Sequence, residues 1–139
     1  MMVYTCFIIP GQGKKEDFSI YLYDLASKTS KRVFDGTTQD TMWGIGSASI
    51  SPDNNYLLIT GHNQDHILQV YLLDLTNNTL KQLTNETDYD SEALVWKSDS
   101  RSFYLHKTFR QIPYPESNFV MNTNGLIVNS LDISGKIIK

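Results

Sequence analysis

A single cysteine, Cys6, stands in 139 residues, so an internal disulfide is excluded and the paired-cysteine spacings of structural zinc are absent. Basic charge is scarce too. Twelve lysines and arginines against 15 acidic residues leave a net charge of −3 and a pI near 5.5, which offers no footprint for a nucleic-acid partner. No run approaches the roughly 18 apolar residues that cross a bilayer as a helix, so no membrane span is expected. The opening MMVYTCFIIPGQGKK is apolar, yet no basic segment precedes it and no small-residue cleavage site follows. It is therefore not read as a secretory signal, and its Val, Tyr, Phe and Ile suit a strand. GIGSAS and GQGKK lack the full glycine spacing and the following helix of a phosphate loop. No serine sits in a Gly-x-Ser-x-Gly elbow, so the sequence supplies no catalytic residue and implies no cofactor.

What is present is a globular composition, 40% hydrophobic and 19% charged, with short apolar runs and frequent Tyr, Phe, Asn and Thr. That favours strands joined by tight turns over helices. The runs repeat. FSIYLYDLASKTSKRVF (18–34) aligns with LQVYLLDLTNNTLKQLT (68–84), so that Tyr21, Leu22, Asp24 and Leu25 fall on Tyr71, Leu72, Asp74 and Leu75, about 50 residues on. SASISPDNNYLLIT likewise returns as ALVWKSDSRSFYLH after about 46 residues. LIVNSLDISGKIIK closes the chain with Leu131, Asp132 and Ile133 in the Leu-Asp-Leu positions. A period of this length signals a stacked or radial repeat.

Each period reads as four short strands: a small-residue first, an aromatic second, a nearly continuous apolar third ending in Asp-Leu, and an alternating fourth. Pro52 and Asp53 suit the two corners of a type I turn, and Asn54 tolerates the left-handed conformation that closes such a hairpin. Ser98-Asp99-Ser100 keeps the Asp but has no comparable left-handed residue, so that turn is expected to be less firmly fixed. Asn77-Asn78 and Ser134-Gly135 supply the hairpins between third and fourth strands. Asp24, Asp74 and Asp132, each ending a third strand, read as turn formers through side-chain to backbone bonds.

A strand, then Ser-Pro-Asp, then a strand, VYLLDL and LKQLT resembles the WD-like repeat of the TolB-like β-propeller family, found also in the propeller domains of prolyl oligopeptidase relatives. Trp96 before Lys97-Ser98-Asp99 stands where that pattern often has Trp-Ser-Pro-Asp, and Gln82-Leu83-Thr84 matches its closing strand. The resemblance implies an all-β fold of four-stranded antiparallel blades forming an incomplete propeller. Residues 1–139 are read as one partial propeller, with blade 1 over 1–34 lacking its innermost strand, blade 2 over about 44–84 and blade 3 over about 92–139. Either a larger propeller or a second copy is expected to cover its ends. The resemblance also suggests a periplasmic or secreted setting.

A meander of this kind puts the turns after strands one and three at one end, and the loops after strand two and between blades at the other. The second end collects residues 10–17, 35–43, 62–66, 85–90 and 109–124, which are longer and rich in charged, aromatic and amide groups. Asp40, Trp43, His62, His66, Tyr89, Arg110 and Tyr114 are the candidate binding residues. His62 and His66, three residues apart around Asp65, have the spacing of a two-imidazole metal site but bring no third ligand, so no metal is assigned. Trp43 and Trp96 also suit packing between blades. Asn77-Asn78-Thr79 and Asn85-Glu86-Thr87 fit glycosylation acceptors, relevant only in a eukaryotic secretory setting. The function expected is a non-enzymatic protein- or peptide-binding segment. The alternative is the accessory propeller portion of a prolyl-oligopeptidase-type hydrolase or of a propeller lyase.

Overall fold

The computed structural model describes residues 1–8, 15, 17–132 and 135–138. Among these residues eleven strands form three antiparallel sheets in chain order. The first holds β1 (Met2–Ile8), β2 (Asp17–Asp24) and β3 (Thr29–Asp35). The second holds β4 (Gly44–Ile50), β5 (Tyr56–His62), β6 (Leu68–Asp74) and β7 (Thr79–Gln82). The third holds β8 (Tyr89–Trp96), β9 (Ser102–Phe109), β10 (Glu116–Asn122) and β11 (Ile127–Leu131). Strands within a sheet follow one another as a meander, which is the propeller-blade pattern. No helix long and apolar enough to cross a membrane occurs among the described residues.

Alternation along each strand assigns its side chains to the two seams between blades. In blade 2, Leu57, Ile59, Tyr71 and Leu73 point toward blade 1 and meet Phe18, Ile20, Phe34 and Met42. Their neighbours Leu58, Val70 and Leu72 point the other way, against Trp96, Phe103, Leu105 and Met121 of blade 3. β6 is nearly continuous in apolar residues because blades cover both its faces; only its two end residues retain partial exposure. Fully burying a side chain such as Phe103 contributes about 1.5–3 kcal/mol, so the two seams form the core that joins the sheets.

Directional bonds fix the blades against one another. The Trp96 indole Nε1 donates to Ser49 O at 3.2 Å, and its ring meets Phe103 edge-on with centroids 5.9 Å apart. Asp53 N donates to Ser100 Oγ at 3.0 Å, and Ala93 N to Thr60 Oγ1 at 3.0 Å. In the other seam Tyr71 OH donates to Thr41 O at 3.2 Å. Trp96 is thus a packing residue, as its strand position suggested.

The turns depart from expectation in informative ways. Asn54 takes the left-handed conformation, with φ 62°, and Asp53 binds Ser51 Oγ at 2.6 Å and Asn55 N at 3.0 Å. Ser100 does the same at φ 56°, so the second copy of the turn is as defined as the first. Asp99 compensates for the missing proline by accepting from Arg101 N, Ser102 N and Ser102 Oγ at 2.8–3.0 Å. Asp24 and Asp74 act as turn formers at the ends of β2 and β6, accepting from Ala26 N at 2.9 Å and Thr76 N at 2.8 Å.

The third blade corrects the reading of the chain's end. Residues 109–124 are not one long loop; β10 lies within them, and it is the third strand. Asn122 stands where Asp74 stands in blade 2, accepting from Asn124 N and Leu126 N at 3.0 and 3.1 Å. Gly125, at φ 82°, closes that turn. Asp132 follows the fourth strand, and its carboxylate accepts from Lys136 N at 2.8 Å. Beyond it, Ile137 bridges back to Leu131. Ile133 and Ser134 lie outside the described residues, as does most of the expected loop at 10–17.

Candidate functional site

Among the described residues, the end of the sheets that carries the candidate residues shows two hairpin turns and two connections between blades. Its hairpin turns are tight, contrary to expectation. His62-Asn63-Gln64-Asp65-His66 folds around the Asn63 side chain, whose Oδ1 accepts from Asp65 N and Ile67 N, each at 3.0 Å. His66 takes the left-handed position at φ 58° and its N–H returns to Asn63 O at 3.1 Å. This brings the two imidazoles together, with ring centroids 5.3 Å apart and tilted by 33°. The turn after β9 is equally compact: Tyr114 is left-handed at φ 59°, and its N–H donates to Gln111 O at 2.7 Å.

The connections are held by side chains. Asp35 caps the 3-10 turn Gly36–Thr38 by accepting from Thr37 N at 3.0 Å and Thr37 Oγ1 at 2.6 Å. Gln39 pins the rest through Gly36 O, Met42 O and Met42 N at 2.7–3.0 Å. The path ends with Trp43 N donating to His62 O at 2.8 Å. In the other connection, buried Gln69 of β6 accepts from Thr84 Oγ1 at 2.7 Å and Glu86 N at 3.2 Å, and donates to Glu86 O at 2.7 Å. Lys107 pairs with Glu86 across the same seam, its ammonium 5.8 Å from the Tyr89 ring centroid.

Five of the seven candidates form one linked group. Trp43 is bonded to His62, and His62 faces His66. The Arg110 Nη1 donates to His66 O at 3.2 Å and to Asp90 Oδ1 at 2.9 Å, while Asp90 Oδ1 also accepts from Leu68 N at 2.8 Å. Tyr89, next to Asp90, stacks at a tilt on Phe109 with centroids 5.1 Å apart. Asp40 and Tyr114 are not tied into this group by any hydrogen bond among the described residues. The Asp40 side chain is fully exposed, 4.0 Å from the Lys15 ammonium; Tyr114 is 54% exposed at its turn.

Asp90 and Asn63 are the residues organising this group that sequence reading missed. Asp90 joins blade 2 to the Arg110 turn, a pairing across 20 residues that no motif marks. Asn63 carried a readable signal, since an Asn in a short turn commonly accepts from the backbone N–H two residues on, here Asp65 N. Chemically the group gathers imidazole, guanidinium, indole and phenol side chains; the guanidinium is held by His66 O and Asp90 Oδ1, and the Tyr89 ring rests on Phe109. The Arg110–Asp90 pair is partly exposed, so about 0–1 kcal/mol is its expected contribution to stability; its main effect is to orient the guanidinium. Among the described residues no three His, Cys, Asp or Glu side chains converge for a metal ion. Between the first strands of blades 2 and 3 lies a separate groove of about 500 Å³, lined by Ser47, Thr60, Glu92, Leu94 and Val95.

No protein-family model matches the chain, and no curated protein sequence does. Solved structures do match. The acylaminoacyl peptidase of Pyrococcus horikoshii superposes over 93% of the chain with a TM-score of 0.64 at 13% identity, using 22% of its own length. TolB from Acinetobacter baumannii matches 88% of the chain at TM-score 0.56 and 23% identity, using 33% of its length. The β-propeller domain of the trilobed protease of Pyrococcus furiosus, described as having an open velcro topology, matches 99% of the chain at TM-score 0.59 and 15% identity, using 37% of its length. The chain therefore spans between about a fifth and two fifths of these structures. At such identities the likeness is one of fold, and that fold is the β-propeller, present here as an incomplete set of blades.

Proposed function

We propose that residues 1–139 act as one partial propeller of TolB-like type that binds a protein or peptide. Its contact surface is the end carrying Asp40, Trp43, His62, His66, Tyr89, Arg110 and Tyr114. The observation that carries this reading is the linked group around Arg110. The Arg110 guanidinium of blade 3 is held by His66 O of blade 2 and by the Asp90 carboxylate, which lowers the ordering cost that binding would otherwise incur. Arg110 uses Nη1 for its two described bonds, and a guanidinium has five N–H donors, so donors remain for a partner's carbonyls or carboxylates.

Panning a displayed library of random extended peptides on the immobilised chain tests this. Enriched peptides are expected to lose binding to a His66→Ala/Arg110→Ala/Tyr114→Ala variant, and to keep it with Asn77→Ala and Ser98→Ala at the opposite end, with little change in melting temperature. Equal loss from both sets would contradict the reading.

A second reading is favoured by the likeness to two peptidase structures: the chain is the accessory propeller portion of a prolyl-oligopeptidase-type hydrolase. A fluorophosphonate probe applied to the native protein, followed by intact-mass measurement, distinguishes it. Labelling of a polypeptide that contains these residues and a hydrolase region supports it; a native polypeptide without such a region removes it.

A further inference from the structure

The two seams between blades differ at their outer rim. The fifty-residue repeat places Lys31, Arg32 and Val33 of blade 1 on Lys81, Gln82 and Leu83 of blade 2. In the seam between blades 2 and 3 that position is closed. Gly125 lies so near Leu83 that a Cβ on it would be 3.3 Å from Leu83 O and 3.6 Å from Leu83 Cδ2, and the Lys81 ammonium donates to Asn124 O at 3.2 Å. In the seam between blades 1 and 2 the same position is open. A hollow of about 360 Å³ lies there, lined by Arg32, Val33, Phe34, Leu73, Asn78 and Leu80.

Base and rim of the hollow differ in chemistry. Phe34 and Leu73 are buried in the core of the seam, and Val33 and Leu80 pack half-buried against it. The Arg32 side chain is 55% exposed, and among the described residues its guanidinium makes no hydrogen bond. Its nearest carboxylate oxygen, Asp35 Oδ2, is 3.6 Å from Nη1, too far for one. The other oxygen of Asp35 is engaged by Thr37 N and Thr37 Oγ1. Whereas the Arg110 guanidinium is tied to two acceptors, Arg32 keeps all five of its N–H donors. That planar fork pairs with a carboxylate through two parallel bonds.

We propose that this hollow is a second protein-docking site: it takes an apolar side chain from an acidic segment of a partner protein, and a carboxylate of the same segment pairs with Arg32. The volume is near the lower end of the roughly 300–1,000 Å³ found for ligand pockets, which suits one or two side chains. Burial on Val33, Leu73 and Leu80 supplies affinity, and Arg32 selects acidic over basic segments. The site is separate from the Arg110 group and does not depend on it.

The probes are capped hexapeptides Asp-Glu-x-x-Asp-Glu, with x drawn from Leu, Ile, Val, Phe and Met. Two matched sets carry Lys-Arg in place of each Asp-Glu, or Ser in place of x. Each is titrated into the full chain and followed by nuclear magnetic resonance. The acidic apolar set is expected to bind about tenfold more tightly than either matched set. Shifts are expected at the Val33, Leu73 and Leu80 methyl groups and at Arg32 Nε, with residues 62–66 and 110–114 unmoved. Arg32→Gln is expected to weaken binding about tenfold at an unchanged melting temperature. Arg110→Ala is expected to leave it unchanged, so failure of the loop surface and failure of this site are told apart. Equal or absent binding across the three sets, shifts confined to other surfaces, or full affinity in Arg32→Gln would overturn the proposal.

Discussion

Tyr71 shows how much of the architecture depends on single side chains. Its ring fills the seam between blades 1 and 2 and its hydroxyl bonds to Thr41 O. Burial pushes its pKa up to about 12, against roughly 10 for an exposed tyrosine. The folded state therefore holds a proton that the unfolded chain releases, and this share of stability is complete below pH about 10 and is lost as pH rises toward 12. Tyr71→Phe is expected to cost about 1 kcal/mol at neutral pH, from the lost hydrogen bond, and to remove the alkaline dependence; denaturant unfolding from pH 7 to 12 measures both. The turn aspartates act at the acid end. Asp53 is held below the usual carboxylate range by the Ser51 hydroxyl and then by Asn55 N, Asp74 by the N–H groups of Asn77 and Thr76, and Asp99 by Arg101 N and Ser102 Oγ. Their contribution is full above pH about 4 and declines as pH falls through their lowered values. Asp53→Asn is expected to flatten the acid limb of a stability-against-pH curve, and an unchanged limb would contradict that role. These turn formers were readable from their periodic spacing. Ser100 was not, because a left-handed serine has no sequence signature; the Asp99 bonds beside it supply the compensation.

At the scale of elements, legibility follows how many faces of a strand are covered. β6 was readable as a third strand because blades lie on both sides and make LQVYLLD apolar throughout. β10 occupies the same place in blade 3 but reads ESNFVMN. Its Asn118, the counterpart of Val70, faces away from blade 2 and bonds instead to His106 Nδ1 at 2.8 Å. With polar residues on that face and Asn122 in place of the aspartate, the strand was hidden inside an expected loop, and the repeat was misplaced onto residues 126–139. The connection between blades 1 and 2 gives an element-scale test. A Cβ at Gly61 would lie 2.6 Å from Gly44 O and 2.8 Å from the Met42 side chain. Backbone cannot yield as a flexible side chain does, so Gly61→Ala is expected to destabilise by about 1–3 kcal/mol. Chemical denaturation checks it, and a neutral result would mean that β4 and β5 are spaced more loosely there.

Across the whole molecule, the repeat and the sheet architecture were legible before any coordinates, whereas the grouping at the candidate surface was not. Periodicity reports which strands exist and which faces they bury. It does not report that Asp90 bonds Arg110 across the hairpin, or that Asn63 folds a five-residue stretch tightly enough to stack His62 on His66. The Asn63 bonds are local and the Asp90–Arg110 pair needs β8 and β9 to meet, whereas Arg110 reaches His66 O, and Asp90 reaches Leu68 N, only after blades 2 and 3 have packed. The account stands on that packing. Nuclear Overhauser contacts in the folded chain between the Trp96 indole and Ser49, and between the Phe103 ring and the methyl groups of Leu58 and Leu72, measure it most directly. Their presence, together with contacts from Phe18 and Ile20 to Leu57 and Ile59, is the expected result. Contacts placing Tyr21 and Tyr71 on adjacent hydrogen-bonded strands of one sheet would contradict it.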